Sequence, residues 1–447
     1  MKALCFALVL SACTAASLRG DFDRVRELVP QTPLPEIAGA VQKDEPASLP
    51  SAPLDADAAV RLALVHNRDL RATLRDMGVE RGALMQAGVV ANPLVEFELL
   101  PEKNSLFELR VEYEVTSLIL TPMRARAAAA DLDAARYRAA GAVVQLGYDV
   151  RAAFYALQAA EQRVAIGLRS LDAFAASRDA AEALYAAGNI PQLDLEAEVL
   201  GHERTKATLL QLEVERVHAY ERLHRLIGLP SPAPAFTIVA APTTIPDVLR
   251  FHAPFSTGVA DNSLDLEETR RRLDALAKKA GYSALSGWLP EINLDVHALI
   301  GDPDAAPATP ADTRWRFGGG VSVRLPIFDQ ARGTTRTFEA QRDALLERYY
   351  AQATALRSQA REATARVING WSRARQYRDA IVPAQARVLD QTLRQYNAMQ
   401  ISVFTLIEAR RAQLDTELEY ALALCEYWTA AAAADALHAG KMIDPSR

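Results

Sequence analysis

Only three cysteines, Cys5, Cys13 and Cys425, occur in the 447 residues, and their number and spacing make neither a disulfide framework nor a zinc site. Aromatic residues are scarce at 7%, whereas Ala, Leu, Glu, Arg and Gln abound, which favours long helices over a mixed α/β globule. There is no basic excess. The formal net charge of -6 is spread along the chain and argues against nucleic acid as a partner. No window reaches the roughly 18–20 continuous apolar residues of a membrane-spanning helix, so any crossing of a membrane must be made by strands. Enzyme chemistry is missing as well. The seven histidines, among them His202, His218, His224 and His297, show no metal-ligand spacing. Gly318-Gly319-Gly320 sits inside an alternating stretch with no Lys-Ser or Lys-Thr after it, so it is no phosphate loop. Glycines there suit a close approach of backbone or side chains. No catalytic residue, metal or cofactor is expected.

Against this helical background Leu106 to Val115 alternates without a miss. Phe107, Leu109, Val111, Tyr113 and Val115 fall on one side, and Glu108, Arg110, Glu112 and Glu114 on the other. A period of two makes it a strand with one apolar and one charged face, of about the length a tilted membrane strand needs. Three companions share the pattern. Val95, Phe97 and Leu99 alternate with glutamates after Ala91-Asn92-Pro93. Ile292 to Ile300 follows Trp288-Leu289-Pro290. Trp315 to Leu325 alternates with Arg316, Ser322 and Arg324.

The rest reads as helix. Asp55 or Asp57 can cap a helix running through Val60, Leu64, Leu70 and Leu74 to about Gln86. After Thr121-Pro122, with Pro122 suited to a first turn, a proline-free run reaches about Ala187. Val143, Val150, Leu157, Val164 and Leu171 recur every seven residues, with Phe154 and Leu168 between them, which predicts a supercoiled seam. Such a helix would be about 100 Å long. Gly188 to Pro191 stops it, and a return helix from Leu193 to about Ile227 ends at Gly228-Leu229-Pro230. The pattern then recurs: a helix from about Leu264 to Leu285, two strands, a long helix opened by Pro326 to Asp329, a turn near Ala398 to Ser402 and a return to about Ala439. Tyr185 and Tyr396, each at the foot of a long helix, are 211 residues apart (185 to 396). The chain therefore reads as a tandem duplication, with repeats at 54–230 and 264–440 joined by a linker at 231–263. Pro383, inside the second long helix, predicts a bend or local break there.

The N-terminus reads as an export signal over residues 1–12, followed by an arm or linker at 13–53. Leu10-Ser11-Ala12-Cys13 resembles a bacterial lipobox, which would place a lipid on Cys13; an ordinary signal peptide or a misplaced start codon is the alternative.

In a bilayer every backbone N–H and C=O must be paired, so an open four-stranded sheet is not allowed. The chain must share a closed barrel with copies of itself. Two copies give eight strands and a filled lumen, three give twelve and room for a channel, and the charged faces favour the wet interior. Tyr113, Trp288, Trp315 and Phe328 fall near strand ends, where an aromatic belt would lie.

These features resemble the TolC-type outer membrane factor family. Ala63 to Leu70 is similar to its ALxxNxxL opening, Ala87-Gly88 with Asn92-Pro93 to the lead-in of its first strand, and Gly320 to Asp329 to the exit from its last. Leu184 to Asp194 matches its hairpin tip and Leu226 to Leu229 the end of its first repeat. The resemblance implies a mainly α protein with membrane β, a homotrimer whose twelve-stranded β-barrel continues as a periplasmic α-helical barrel. It implies an outer membrane exit duct for efflux or type I secretion in a Gram-negative bacterium, seated among outer membrane lipids. Its partners would be a periplasmic membrane fusion (adaptor) protein and an inner-membrane pump, preferentially of the RND type. A periplasmic helical-hairpin adaptor or scaffold is the competing reading.

By the same resemblance the hairpin tips form the gate and meet the adaptor. The first tip falls at Gly188, Asn189 and on to Asp194, the second at Tyr396, Asn397, Met399, Thr405 and Glu408. Met399 stands where the family has glycine and Thr405 where it has an acid, while Glu408 remains acidic. The gate is thus either charged, through Glu408, or apolar, through Met399, Ile401 and Phe404.

Overall fold

The computed structural model describes residues 18–30, 52–99, 105–229, 236–239, 244–249, 262–301 and 315–443. Cys13, the signal and most of the 231–263 linker lie outside these residues. The described elements run α1 (Arg19–Leu28), α2 (Ala56–His66), α3 (Arg68–Ala87), β1 (Leu94–Glu98), β2 (Ser105–Glu114), α4 (Thr116–Ala186), α5 (Gln192–Ile227), α6 (Leu264–Ser286), β3 (Glu291–Gly301), β4 (Trp315–Arg324), α7 (Arg332–Gln376), a π turn (Tyr377–Ile381), α8 (Val382–Asn397) and α9 (Val403–His438). Helix ends recur at one offset: Ala186 and Asn397, Gln192 and Val403, Ile227 and His438 are each 211 residues apart. The chain divides into two compact units, Met1–Asp21 with Arg75–Arg138 and Leu266–Gln352, and Phe22–Leu74 with Ala139–Asp265 and Ala353–Arg447.

The first unit holds the sheet. Its order is β1-β2-β3-β4, antiparallel throughout, so the central pairing joins a strand of the first half to one of the second. The expectation of four membrane-length strands is corrected for β1, which has five residues against ten or eleven in the others. Pro93, immediately before β1, has no N–H to extend its ladder. The first long helix also opens earlier than expected. Thr116 Oγ1 accepts from the Ile292 amide and donates to the Pro290 carbonyl, both at 2.8 Å, and starts α4 there, which leaves Pro122 inside the helix rather than in its first turn. The second opens at Arg332, after the Asp329 carboxylate accepts from the Ala331 amide at 2.9 Å.

Among the helices of the same unit, Asp21 is fully buried. Arg81 reaches it through Nε at 3.0 Å and Nη2 at 2.7 Å, and Arg136 through Nε at 3.0 Å and Nη2 at 2.6 Å. One carboxylate thereby ties α1 to α3 and α4 with charge-assisted bonds that satisfy its lone pairs. Lys279 to Asp131 at 2.8 Å and Arg138 to Glu268 at 3.0 Å tie α6 to α4.

The second unit is helical. α4 and α5 run antiparallel, as shown by Arg163 to Glu215 at 2.5 Å near one end and Ser177 to Glu198 at 2.6 Å nearer the other. Val143, Val150, Phe154 and Leu157 are buried as the heptads predict. The prediction fails beyond Ala160: Val164 and Leu171 are half-buried and Leu168 is 48% exposed, while Ile166, Gly167, Ser177 and Ala181 face inward. A straight helix drifts about 20° per heptad from a 3.5 repeat, and an 11-residue step such as Ile166 to Ser177 follows the helix better. α9 contributes Ala423, Leu424, Tyr427, Ala431 and Ala434 to a core with Val367 and Ala374 of α7 and with Ile245. The small residues permit close approach: a Cβ on Gly370 would stand 3.2 Å from Tyr427 Cα.

Two further expectations meet the structure here. The helix from Asp55 to Gln86 is capped by Asp55, whose Oδ1 accepts from the Ala58 amide at 2.6 Å, but it is broken at Asn67. Buried Asn67 takes extended backbone, accepts from the Leu70 amide at 2.8 Å and donates to the Leu226 carbonyl at 2.9 Å, ending α2, capping α3 and meeting the end of α5 in one residue. Pro383 lies at the second position of α8, directly after the π turn, so the second long helix widens to a π turn there while its backbone stays right-handed helical throughout.

The Asp21 contacts predict that Asp21→Ala, which leaves two arginines facing an emptied buried site, lowers stability by about 3 kcal/mol. A thermal midpoint in detergent unchanged from wild type would refute this.

Candidate channel wall and hairpin tips

The sheet separates its chemistry by face. Val95, Phe97, Val111, Val296, Phe317, Val321 and Val323 point one way and are exposed. At one end of this face Phe97 and Phe107 rings lie 4.3 Å apart, Phe107 and Trp315 6.0 Å, and Trp315 and Phe317 6.3 Å. This aromatic row runs across β1, β2 and β4 beside the strand ends at Glu98, Ser105 and Trp315. Of the belt residues read from the sequence only Trp315 belongs to it; the phenylalanines were legible as strand residues but not as a row, because their alignment depends on register.

The other face carries Glu96, Glu108, Arg110, Glu112, Glu114, Glu291, Asp295, His297 and Arg324. Arg110 pairs with Glu108 at 3.0 Å and Glu96 at 3.9 Å, Arg324 with Glu291 at 2.7 Å, and His297 Nδ1 with Asp295 at 3.3 Å. These groups are partly exposed and add little stability. Together they make one face of the sheet charged.

The two helical hairpins turn with the same backbone. At the first, Gly188 has φ 73°; its amide donates to the Tyr185 carbonyl and the Asn189 amide to that of Leu184, both at 2.8 Å. At the second, Met399 has φ 59°; its amide donates to Tyr396 at 2.8 Å and the Gln400 amide to Gln395 at 2.9 Å. Both are Schellman closures with a left-handed residue. Met399 therefore occupies the very backbone position of Gly188 and is 93% exposed. Tyr185, Asn189, Asp194, Tyr396, Asn397, Thr405 and Glu408 are exposed too. Thr405 takes part in capping α9, where its amide donates to Ser402 Oγ at 3.3 Å. Asp194 sits in the first turn of α5, where its charge complements the helix dipole. Ile401 and Phe404 are half-buried, so of the proposed apolar residues only Met399 stands fully free in the chain.

Glu408 leads to a cluster that the sequence did not reveal. It lies 3.6 Å from Arg411, whose Nη2 donates to Glu198 at 2.8 Å and whose guanidinium lies 3.4 Å over the Phe174 ring. Glu198 also accepts from the fully buried Ser177 hydroxyl at 2.6 Å. Gly201 makes room, since a Cβ there would stand 2.8 Å from Phe174 Cε1. Arg411 thus binds the second hairpin to both helices of the first. Its partners lie some 210 to 240 residues away, which hid the cluster from a reading of local pattern. One turn further along α9, burial and, second, Glu419 raise the Asp415 pKa, against the opposing pull of Arg411. Burial pushes the Cys425 thiol up. Among the described residues no group of acidic, His and Cys side chains could hold a metal, and no helix is long and apolar enough to cross a membrane.

An antiparallel sheet with one exposed apolar face, in one chain with paired long helical hairpins, is the fold this chain shares with solved outer membrane channels. The chain is similar to the outer-membrane channel OprN, with a TM-score of 0.68 at 20% identity over 86% of this chain and 90% of that one. It is likewise similar to the Campylobacter jejuni outer membrane channel CmeC, with a TM-score of 0.65 at 12% identity over 91% and 93%. In sequence it resembles the cobalt-zinc-cadmium resistance protein CzcC of Cupriavidus metallidurans, 23% identical over 391 residues, covering 86% of this chain and 89% of that protein. No family model matches the chain. The resemblance to TolC-type outer membrane factors holds at the level of the fold.

The shared closures predict that Met399→Gly, which relieves a left-handed non-glycine residue, stabilises the second tip by about 1 kcal/mol, and that Gly188→Ala, with space around it but the same strain, destabilises the first by a similar amount. Hydrogen exchange at the two tips measures both; equal protection in variant and parent would contradict the assignment.

Proposed function

We propose that this chain is an outer membrane exit duct of a tripartite efflux or type I secretion system, a passive conduit that catalyses no reaction. The observation that carries this is the open four-stranded sheet, with one face apolar and exposed and the other charged. Its two edge strands must be paired in a bilayer, and three copies supply a twelve-stranded barrel with a wet lumen. The sheet would be the outer membrane part and the hairpins the periplasmic part, built from repeats at 54–230 and 264–440.

A second observation supports a homotrimer. α5 carries an exposed apolar seam, Leu193, Leu200, Leu210, Val214 and Val217, at heptad-compatible spacing. A seam of this kind fits the helix of a neighbouring copy in a helical barrel. The tips, with Met399 and Leu193 exposed, would meet a periplasmic adaptor protein, and an inner-membrane pump of the RND type would supply energy. Lipidation of Cys13 would anchor the arm. The name of CzcC makes divalent metal cations the first cargo to test. In this reading Arg411 holds the two hairpins together and Glu408 lines the gate.

Full-length protein extracted from the outer membrane should migrate in SDS as an oligomer that collapses to monomer on boiling, and Val214→Asp, which buries a charge in the α5 seam, should reduce that oligomer at least about tenfold. A soluble monomer without detergent would overturn the duct. In planar bilayers Arg411→Ala should raise conductance and Glu408→Ala should lower cation preference; a Glu408→Ala channel identical to wild type removes Glu408 from the gate.

A further inference from the structure

The glycine run of β4 has a use that membrane crossing alone does not explain. Gly318 lies directly opposite His297 and Gly320 directly opposite Asp295 on the charged face of the sheet. A Cβ built on Gly318 would stand 2.3 Å from His297 Nε2, and one on Gly320 2.5 Å from Asp295 Oδ1. Both β3 side chains therefore lie down across β4, in space that any other residue would fill, instead of standing out from the wall. Lying flat, they meet each other, with Nδ1 to Oδ2 at 3.3 Å. Gly319, between the two, belongs to the opposite face, and its Cβ would approach the Asp295 carbonyl at 3.1 Å.

The charged surroundings of the pair are lopsided. On β2, Arg110 is paired with His297 and Glu112 with Asp295, and Glu108 lies one step along; on β1, Glu96 faces Arg110; on β4 the next charged position on the same face is Arg316. Arg110 is already engaged by Glu108 and Glu96. Glu112 and Asp295 thus leave a net negative patch beside the imidazole.

We propose that Gly318 and Gly320 form a floor on which the Asp295–His297 pair lies flat, making it a cation-preferring patch of the conduit wall that does not narrow the lumen. The inference rests on the duct reading, in which the charged face lines the lumen. Asp295 and Glu112, facing each other across β2 and β3, add to the negative wall and favour cations. Putting a methyl group on the floor lifts the imidazole into the lumen and obstructs it.

The test uses full-length protein in planar bilayers, with reversal potentials under a KCl gradient. Asp295→Asn should lower the cation-to-anion permeability ratio about twofold. Gly318→Ala should reduce conductance to roughly two-thirds, and the double variant Gly318→Ala/His297→Ala should recover it, because the displaced ring is gone. If Gly318→Ala does not assemble, the Asp295→Asn permeability ratio and recovery of assembly in the double variant carry the test. An Asp295→Asn channel with the wild-type permeability ratio, or a Gly318→Ala channel with wild-type conductance, overturns the proposal. A wild-type protein that forms no channel sinks the duct reading instead.

Discussion

The backbone hydrogen bonds of the sheet are the constraint from which most else follows. β2 and β3 are paired on both sides, but β1 and β4 are each paired on one side only. In water such edges can be solvated. Beside an exposed face of Val, Phe and Trp they are a template for further pairing, and in hydrocarbon each unpaired group costs several kcal/mol. In the proposed homotrimer, the order β1-β2-β3-β4 would let the first and last strands pair with one another in neighbouring copies. The Gly318–Gly320 run fits the same proposal, since a charged inner wall would have to leave space at its centre.

The helical unit answers a different problem, that of keeping very long helices in register. Gly167, Gly201 and Gly370 each sit where a side chain of the facing helix comes close, against Leu209 and Leu212, Phe174 and Tyr427 respectively. Such contacts act as register marks that generic Leu and Val stripes cannot provide. The π turn before Pro383 is a local concession in the second hairpin with no counterpart in α4, whose described helix runs from Thr116 to Ala186 unbroken. The missing Pro383 N–H would have bonded a carbonyl one turn back, and the wider turn accommodates the loss.

What was legible in the sequence was whatever repeats with a short period. The strands declared themselves through alternation, Gly188 and Gly228 through their position after apolar periodic runs, and the duplication through two tyrosines at one offset. What escaped depends on partners far away in the chain. Asn67 looks like one more helix residue until Leu226, 159 residues on, is seen to accept its amide. Asp21 lies in a stretch without period, yet it organises three helices. Leu168 satisfied the heptad arithmetic and still points outward, because two helices without strict supercoiling fall out of a 3.5 repeat after a few turns. Arg411 had no local signal at all.

The two tips show how far a duplication keeps geometry while its chemistry diverges. Gly188 and Met399, Pro191 and Ser402, and Asp194 and Thr405 are equivalent pairs, each 211 residues apart, and every pair differs in chemistry. The backbone closure survives in both, and in the second it does so against the preference of Met399 for negative φ. A left-handed methionine costs about 1–2 kcal/mol relative to an ordinary conformation. The turn geometry is held by α8 and α9, which fix its ends, while the residue within it answers to something else. At 93% exposure Met399 gains nothing from packing inside its own chain. A strained and uncovered apolar side chain at a hairpin tip would, in the proposed duct, answer to a partner that covers it, whereas Glu408, nine residues on in α9, is tied back toward Arg411 within its own chain.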